Sequence, residues 1–279
     1  MVAVWLNNLY HSLNPIAFSF GFFAIRWYAL AYIAGFISAG YLMYRLSRTW
    51  HDALTPDEVV SIVNACIIGV IVGARLAYAL FYANGYYFEH PLEIVMLSQG
   101  GMSFHGGLAG ALISGYLMCR YLKLSFLSMC DLGVIGTTLG LMFGRVANFI
   151  NGELWGKATD LPWGVMFSET GGGFVYRHPS QLYEAVLEGL VAFCILFFLA
   201  RRKKPLYQGS YLGIFLVLYA FARFLIEFVR LPDVQLGYLF NTSWLTMGQC
   251  LSIPVFICGI VVLCASIRYA RPQKIHLQR

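Results

Sequence analysis

Charge is the scarce commodity in this chain. Only 11% of its 279 residues are Asp, Glu, Lys or Arg, and the mean hydropathy is +0.68. Soluble domains carry about 25% charged residues, so a soluble globular protein is excluded and long apolar runs along the whole length point to a polytopic membrane protein. Residues 1–25 hold no Lys or Arg. A removable signal peptide needs a basic leading region, so none is expected. None of the seven cysteines (Cys66, Cys119, Cys130, Cys194, Cys250, Cys258 and Cys264) forms a CxxC pair or neighbours a His. They read as small apolar packing residues; neither a disulfide framework nor a metal site is expected. Low-complexity segments are missing too, and an odd number of spans argues against a simple inverted repeat.

What is present is a set of seven apolar runs, at 19–43, 58–82, 103–119, 126–148, 180–200, 208–229 and 246–267. Each is expected to be a helix, because lipid offers no partner for an open backbone. The net charge of +6 does not indicate nucleic acid, since most basic residues lie in short groups between the runs. Arg45 and Arg48 follow run one, Arg120 and Lys123 run three, Arg201, Arg202, Lys203 and Lys204 run five, and Arg268, Arg271, Lys274 and Arg279 run seven. These are 12 of the 19 Lys and Arg residues. Basic loops stay cytoplasmic, so the N-terminus is expected outside and the C-terminus inside. The architecture expected is an all-α polytopic membrane protein, a single integral membrane domain over 1–279. Residues 1–18 carry Trp5, Leu6, Leu9, Tyr10 and Leu13 at helical spacing, an interfacial arm. A second arm is expected at 83–102 and a small external cap at 149–179.

The other seven basic residues (Arg26, Arg75, Arg145, Lys157, Arg177, Arg223 and Arg230) fall on the outer side or in the outer half of the spans. Topology does not explain them. Unpaired, Arg75, Arg145 and Arg223 together would cost on the order of 5–10 kcal/mol. Glu227 lies four residues after Arg223, with Arg230 three further on, so part of that charge is neutralised within one helix. Set against Glu153 and Glu227 alone, the outer arginines leave a positive excess. A buried positive excess calls for an anion, and a phospholipid phosphate suits the guanidinium fork. "SFHGGLAG" at 103–110 places His105 at a helix start beside Gly106 and Gly107, where a substrate or another helix could approach the backbone. His is the side chain most readily available as a base near neutral pH. In "GRVANFINGELWG", Arg145 and Asn148 share a helix face, Asn151 follows, and Gly152 and Gly156 permit a turn that folds Glu153 back over the same site.

These motifs resemble the bacterial prolipoprotein diacylglyceryl transferases, over nearly the whole chain. "GRVANFINGELWG" is similar to the family signature, with Arg145, Asn148, Asn151, Gly152, Glu153 and Gly156 in place. "IRWYAL" at 25–30 is similar to the first-helix motif and carries Tyr28; "HGGLAG", "RHPSQLYEA" and "FARFLIEFVRLPD" match three others. Ala29 departs from the pattern, standing where a Gly is common. The resemblance implies transfer of an sn-1,2-diacylglyceryl group from phosphatidylglycerol to the lipobox cysteine of a prolipoprotein signal peptide. It implies a thioether product, release of glycerol 1-phosphate, and a site at the outer face of the bacterial cytoplasmic membrane. No cofactor and no metal are expected. Catalytic roles are expected for His105, Arg145 and Arg223, and substrate contacts for Tyr28, Arg75, Gly106, Gly107, Asn148, Asn151, Glu153, Gly156, Glu227 and Arg230. The thiol, with a pKa of about 8.5, needs help to ionise; His105 or the arginine field could provide it. The rival class is an anionic-lipid-binding or transporting membrane protein without transferase chemistry.

Overall fold

The computed structural model describes residues 4–21, 23–83, 85–96, 100–202, 204–232 and 237–277. Lys203, Asp233 and Arg279, together with Asn84 and residues 97–99 of the second arm, lie outside the described residues. The fold is mostly helical. Helix α1 (Val4–Ser12) leads into an antiparallel hairpin, β1 (Ile16–Phe20) and β2 (Phe23–Arg26). Then come α2 (Trp27–Thr49), α3 (Pro56–Phe81), α4 (Tyr86–Glu89), α5 (Phe104–Tyr121), α6 (Phe126–Asn151), the short pair β3 (Val165–Met166) and β4 (Tyr176–Arg177), α7 (Ser180–Ala200), α8 (Ser210–Ile226) and α9 (Met247–Tyr269).

Each expected span has its helix, and five (α2, α3, α6, α7 and α9) are long and apolar enough to cross a membrane. On α9 the most apolar window averages a hydropathy of 2.6 with only 17% of it buried. An apolar surface left that open matches lipid rather than water. The first span starts later than expected, at Trp27 instead of residue 19. Residues 16–20 alternate Ile16, Phe18 and Phe20 with Ala17 and Ser19, a period of two, and Gly21 turns the chain with φ +60°. The hairpin register pairs Ser19 with Ala24 and Ile16 with Arg26, with a bulge between. A run that is apolar throughout hides this change of period.

Helix ends are specified locally. Thr55 caps α3 in a capping box with Glu58, and Pro56 sits in the first turn. Thr246 and Gln249 repeat the box at α9, and Ser103 accepts the Gly106 N–H at the start of α5.

The chain folds into two compact units, whose boundaries fall within α2, within α6 and after α9. One comprises residues 1–42 and 131–273, the other residues 43–130 and 274–279. In the first, Leu6 and Tyr10 of α1 pack with Phe149, Val165 and Phe167. Helix α1 is therefore buried on one face against Phe149, Val165 and Phe167, while Trp5 on its other face is 63% exposed. Asp131 of α6, fully buried, accepts hydrogen bonds from Gly209 N, Leu212 N and Gln273 Nε2 at 2.6–2.8 Å. It caps α8 from outside and fixes the segment after α9. In the second unit α3 and α5 meet on glycines. A Cβ at Gly106 would lie 2.3 Å from Ala77 Cβ and 2.4 Å from Gly73 O. The glycines that follow His105 thus admit a helix, one of the two approaches their spacing allowed.

Candidate functional site

The C-terminal end of α6 carries the signature stretch. Gly152 ends the helix at φ +67°, where a Cβ would also lie 2.1 Å from Tyr10 Oη. The turn brings Glu153 back: its N–H donates to Asn148 O at 3.1 Å, and its Oε1 accepts from Asn148 Nδ2 at 2.8 Å and Asn151 Nδ2 at 3.3 Å. The expected fold-back of Glu153 is therefore the observed geometry. Its carbonyl accepts from Gln181 Nε2 at 2.6 Å, and Ser180 Oγ donates to Leu154 O at 3.0 Å. The first turn of α7 is stitched to the end of α6 in this way. Gly156 is a packing position; a Cβ there would meet Val229 O at 2.6 Å and His178 Cβ at 2.7 Å. Tyr28 Oη pairs with Tyr32 Oη at 3.2 Å and lies within electrostatic reach of Glu153 and Arg145.

Below the signature lies a buried ionic cluster. Glu184 and Glu188 of α7 are both fully buried, one helical turn apart. Arg145 Nε approaches Glu184 Oε2 at 3.1 Å, and Arg230 Nη1 reaches Glu184 Oε1 at 2.8 Å. Arg223 pairs with Glu184 through Nη1 and with Glu227 through Nη2. Arg230 Nε stands 3.7 Å from Glu227 Oε1, and Thr246 Oγ1 donates to Glu227 Oε2.

This cluster corrects the expectation of a positive excess. Arg145, Arg223 and Arg230 face three carboxylates, Glu184, Glu188 and Glu227, so three charges meet three. Counting only Glu153 and Glu227 missed the two acids inside the fifth apolar run. The signal was available: two carboxylates four residues apart in an otherwise apolar helix are functional by default. Removing one partner from such a buried network strands the other.

Arg75 belongs to the other unit and has no carboxylate partner among the described residues. Its five N–H groups meet five carbonyls: Ile94 O, Gly100 O, Gly101 O, Glu93 O and Met96 O. At 3% exposure and with Tyr87 stacked at 5.0 Å, it brackets the second arm rather than offering donors to a phosphate. His105 sits exposed in the first turn of α5, against Phe104.

Two residues between β3 and α7 had no assigned role. Arg177 donates to Gly172 O at 2.6 Å and lies over the Trp155 ring at 4.4 Å, pinning the β3–β4 turn. His178 Nδ1 meets Tyr183 Oη at 3.3 Å. Burial, then the nearby Lys157 charge, hold its pKa below the ordinary imidazole value.

Residues 15–265 match the profile of the prolipoprotein diacylglyceryl transferases. The chain is 46% identical over 250 residues to the phosphatidylglycerol–prolipoprotein diacylglyceryl transferase of Geobacter sulfurreducens, covering 90% of this chain and 94% of that protein. It is 47% identical over 264 residues to the protein of the same name from Methylococcus capsulatus, covering 94% and 98%. The corresponding protein of Rickettsia canadensis is 42% identical over 259 residues, with 92% and 98% covered.

Proposed function

The chain belongs to the prolipoprotein diacylglyceryl transferase family, and we propose that it moves the sn-1,2-diacylglyceryl group of phosphatidylglycerol onto a prolipoprotein thiol. The acceptor is the lipobox cysteine, still attached to its signal peptide. A C–S bond forms as the C–O bond to phosphate breaks, and glycerol 1-phosphate leaves. The observation that carries this reading is the folded signature: Glu153 turned onto Asn148 and Asn151, on the same helix as an arginine of the buried cluster.

The residues supply the parts such a step needs. A phosphate ester departs as a stable anion, so the leaving group needs charge stabilisation more than a strong acid. Arg145 and Arg223, held by Glu184, are pre-organised to give it, with Arg230 and Glu227 supporting them. Glu153, Asn148, Asn151 and Tyr28 hold the glycerol and headgroup hydroxyls. His105 accepts the thiol proton. Gly106, Gly107 and Gly156 act through close packing, and Arg75 through the arm it holds.

The chain crosses the bacterial cytoplasmic membrane seven times, with α5 and α8 completing the five long apolar helices. Its N-terminus is outside, its C-terminus inside, and its site faces the outer leaflet. The basic residues after α2, α5, α7 and α9 support this orientation. One membrane domain over 1–279 carries the arms at 1–18 and 83–102 and the cap at 149–179.

The test is a transfer assay with phosphatidylglycerol and a lipobox peptide, run across pH for wild type and His105→Asn. Wild type forms the thioether. The Asn variant falls by about 10²–10⁴-fold at neutral pH, keeps lipid affinity, and recovers part of the rate as pH approaches the free thiol's pKa of about 8.5. Weakened lipid binding with a flat pH–rate profile would move His105 from proton transfer to recognition. Lack of transfer in wild type would defeat the assignment itself.

A further inference from the structure

The turn that folds Glu153 back is strained at the residue after it. Gly152 adopts its positive φ at little cost, but Leu154 stands at φ +61°, a region that penalises any residue with a Cβ. Such a conformation persists only where the surroundings over-determine it. The leucine side chain does not supply that, being 41% exposed. The first turn of α7 does. Gln181 Nε2 donates to Glu153 O at 2.6 Å, and Ser180 Oγ donates to Leu154 O at 3.0 Å. These carbonyls belong to the peptide groups on either side of the Leu154 Cα, so two donors together fix its φ and ψ. Ser180 and Gln181 are themselves fully buried and cannot follow the turn if it relaxes.

Gln181 does little for the stability of the fold. Its Oε1 is buried and has no hydrogen-bond partner among the described residues. One bond made and one acceptor stranded nearly offset each other. What the side chain secures is the shape of the turn. Were Leu154 to return to negative φ, the chain would leave α6 in another direction. Glu153 would then lose its backbone bond to Asn148 O and its side-chain bonds from Asn148 and Asn151.

We infer that Gln181 and Ser180 are positioning residues for the donor lipid: by clamping Leu154 in the left-handed region they hold Glu153 where it meets the headgroup. Neither touches a reacting atom; both act through Glu153. The inference rests on the reading of Glu153 as a headgroup contact given above. Its consequence is a population effect. Only molecules with the turn closed bind the donor well, so the apparent affinity scales with the closed fraction. Loss of a clamp bond lowers that fraction, and relief of the strain at residue 154 restores it.

The experiment measures transfer by the purified full chain, with phosphatidylglycerol and a lipobox peptide varied separately. Gln181→Met keeps the volume and removes the donor. KM for phosphatidylglycerol is expected to rise about three- to tenfold, the size of one hydrogen bond. The kcat and the KM for the peptide should hold, as they do when binding is lost equally from ground and transition states. The same substitution made in a Leu154→Gly background should raise the donor KM by no more than about twofold, because glycine adopts positive φ without strain. An unchanged donor KM, or equal factors in the two backgrounds, overturns the inference. Amide exchange at Glu153, whose N–H donates to Asn148 O, reads the clamp without catalysis. It should quicken about three- to tenfold in Gln181→Met and less in the glycine background. Should Gln181→Met fail to fold, Ser180→Ala, a smaller change, is judged in both backgrounds by the same criteria. Wild-type transfer with Glu153 exchange unaltered by either substitution sinks the clamp alone. No transfer by wild type removes the functional reading, and with it the role in lipid recognition, even where exchange shows the clamp.

Discussion

Two buried arginine environments in this protein are satisfied in opposite ways. Arg75 spends all five N–H groups on backbone carbonyls of residues 93–101. Arg145, Arg223 and Arg230 turn theirs to the side chains of Glu184 and Glu227, with Glu188 at the longer ion-pair distances of 3.7 and 3.9 Å. Carbonyls belong to the fold and cannot be exchanged, so Arg75 is a bracket. A carboxylate and a phosphate present the same pair of oxygens to a guanidinium, so arginines shared among carboxylates can take a new anion without losing the old geometry. An arginine in an apolar helix is therefore not evidence of an anion site until its acceptors are known.

Removing a cluster arginine should have the largest effect. Arg223→Ala takes from Glu227 its closest guanidinium and from Glu184 one of three, and breaking one partner of a buried pair costs about 3–5 kcal/mol. We expect a lower unfolding temperature in detergent together with loss of diacylglyceryl transfer. A variant that unfolds like wild type and still turns over would show that the cluster is only a structural knot in which one arginine is dispensable.

How much of this was legible beforehand depended on where each partner lay. A helix stands at each of the seven apolar runs, five of them long and apolar enough to cross a membrane, because an apolar surround offers an open backbone no partner. The Glu153 fold-back followed from Gly152 and Gly156, since only a turn there reconciles Asn148 with Glu153. The hairpin at 16–26 was hidden, because its residues are as apolar as the span they precede. The pairing of Glu184 and Glu188 is not legible along the chain, because their partners come from α6, α8 and the segment after α8. Arg75 was unreadable for a different reason: backbone carbonyls carry no sequence signature.

Arg75→Lys sharpens the contrast and should have a middling effect. Lysine has three donors for five carbonyls, so at least two acceptors lose their partner, at a cost of about 1–3 kcal/mol each at most. The expected readout is faster proteolysis within residues 86–96, with transfer retained by the molecules whose arm stays in place. If transfer disappears while the arm remains protected, Arg75 meets the substrate directly and the bracket reading fails.

The smallest expected effect lies at the C-terminal tail, where a carboxylate meets an imidazole and backbone donors together. Asp52 Oδ2 accepts from His276 N at 2.9 Å and from Ile275 N, and Asp52 Oδ1 faces His276 Nδ1; Glu58 Oε1 stands 3.1 Å from His276 Nε2. Burial alone would raise the Asp52 pKa, but the hydrogen bonds from the His276 ring and from the His276 and Ile275 N–H groups outweigh it, and the net shift is downward. A folded pKa below the unfolded one means that the unfolded chain binds the extra proton in acid. The stabilisation is then complete above the ordinary carboxylate pKa of about 4 and fades as pH falls through the lower folded value. Between neutral pH and about pH 5, Asp52 ionisation should contribute a constant amount. Asp52→Asn keeps one acceptor oxygen and loses the charge, so the tail should loosen by roughly 1 kcal/mol. Hydrogen exchange at the amides of Ile275 and His276 measures this, corrected for the intrinsic pH dependence of exchange. Wild type should hold its protection to about pH 5 and lose it in stronger acid, while the Asn variant starts less protected and shows no such acid step. An acid step of equal size in both proteins would transfer the tail's pH response from Asp52 to Glu58.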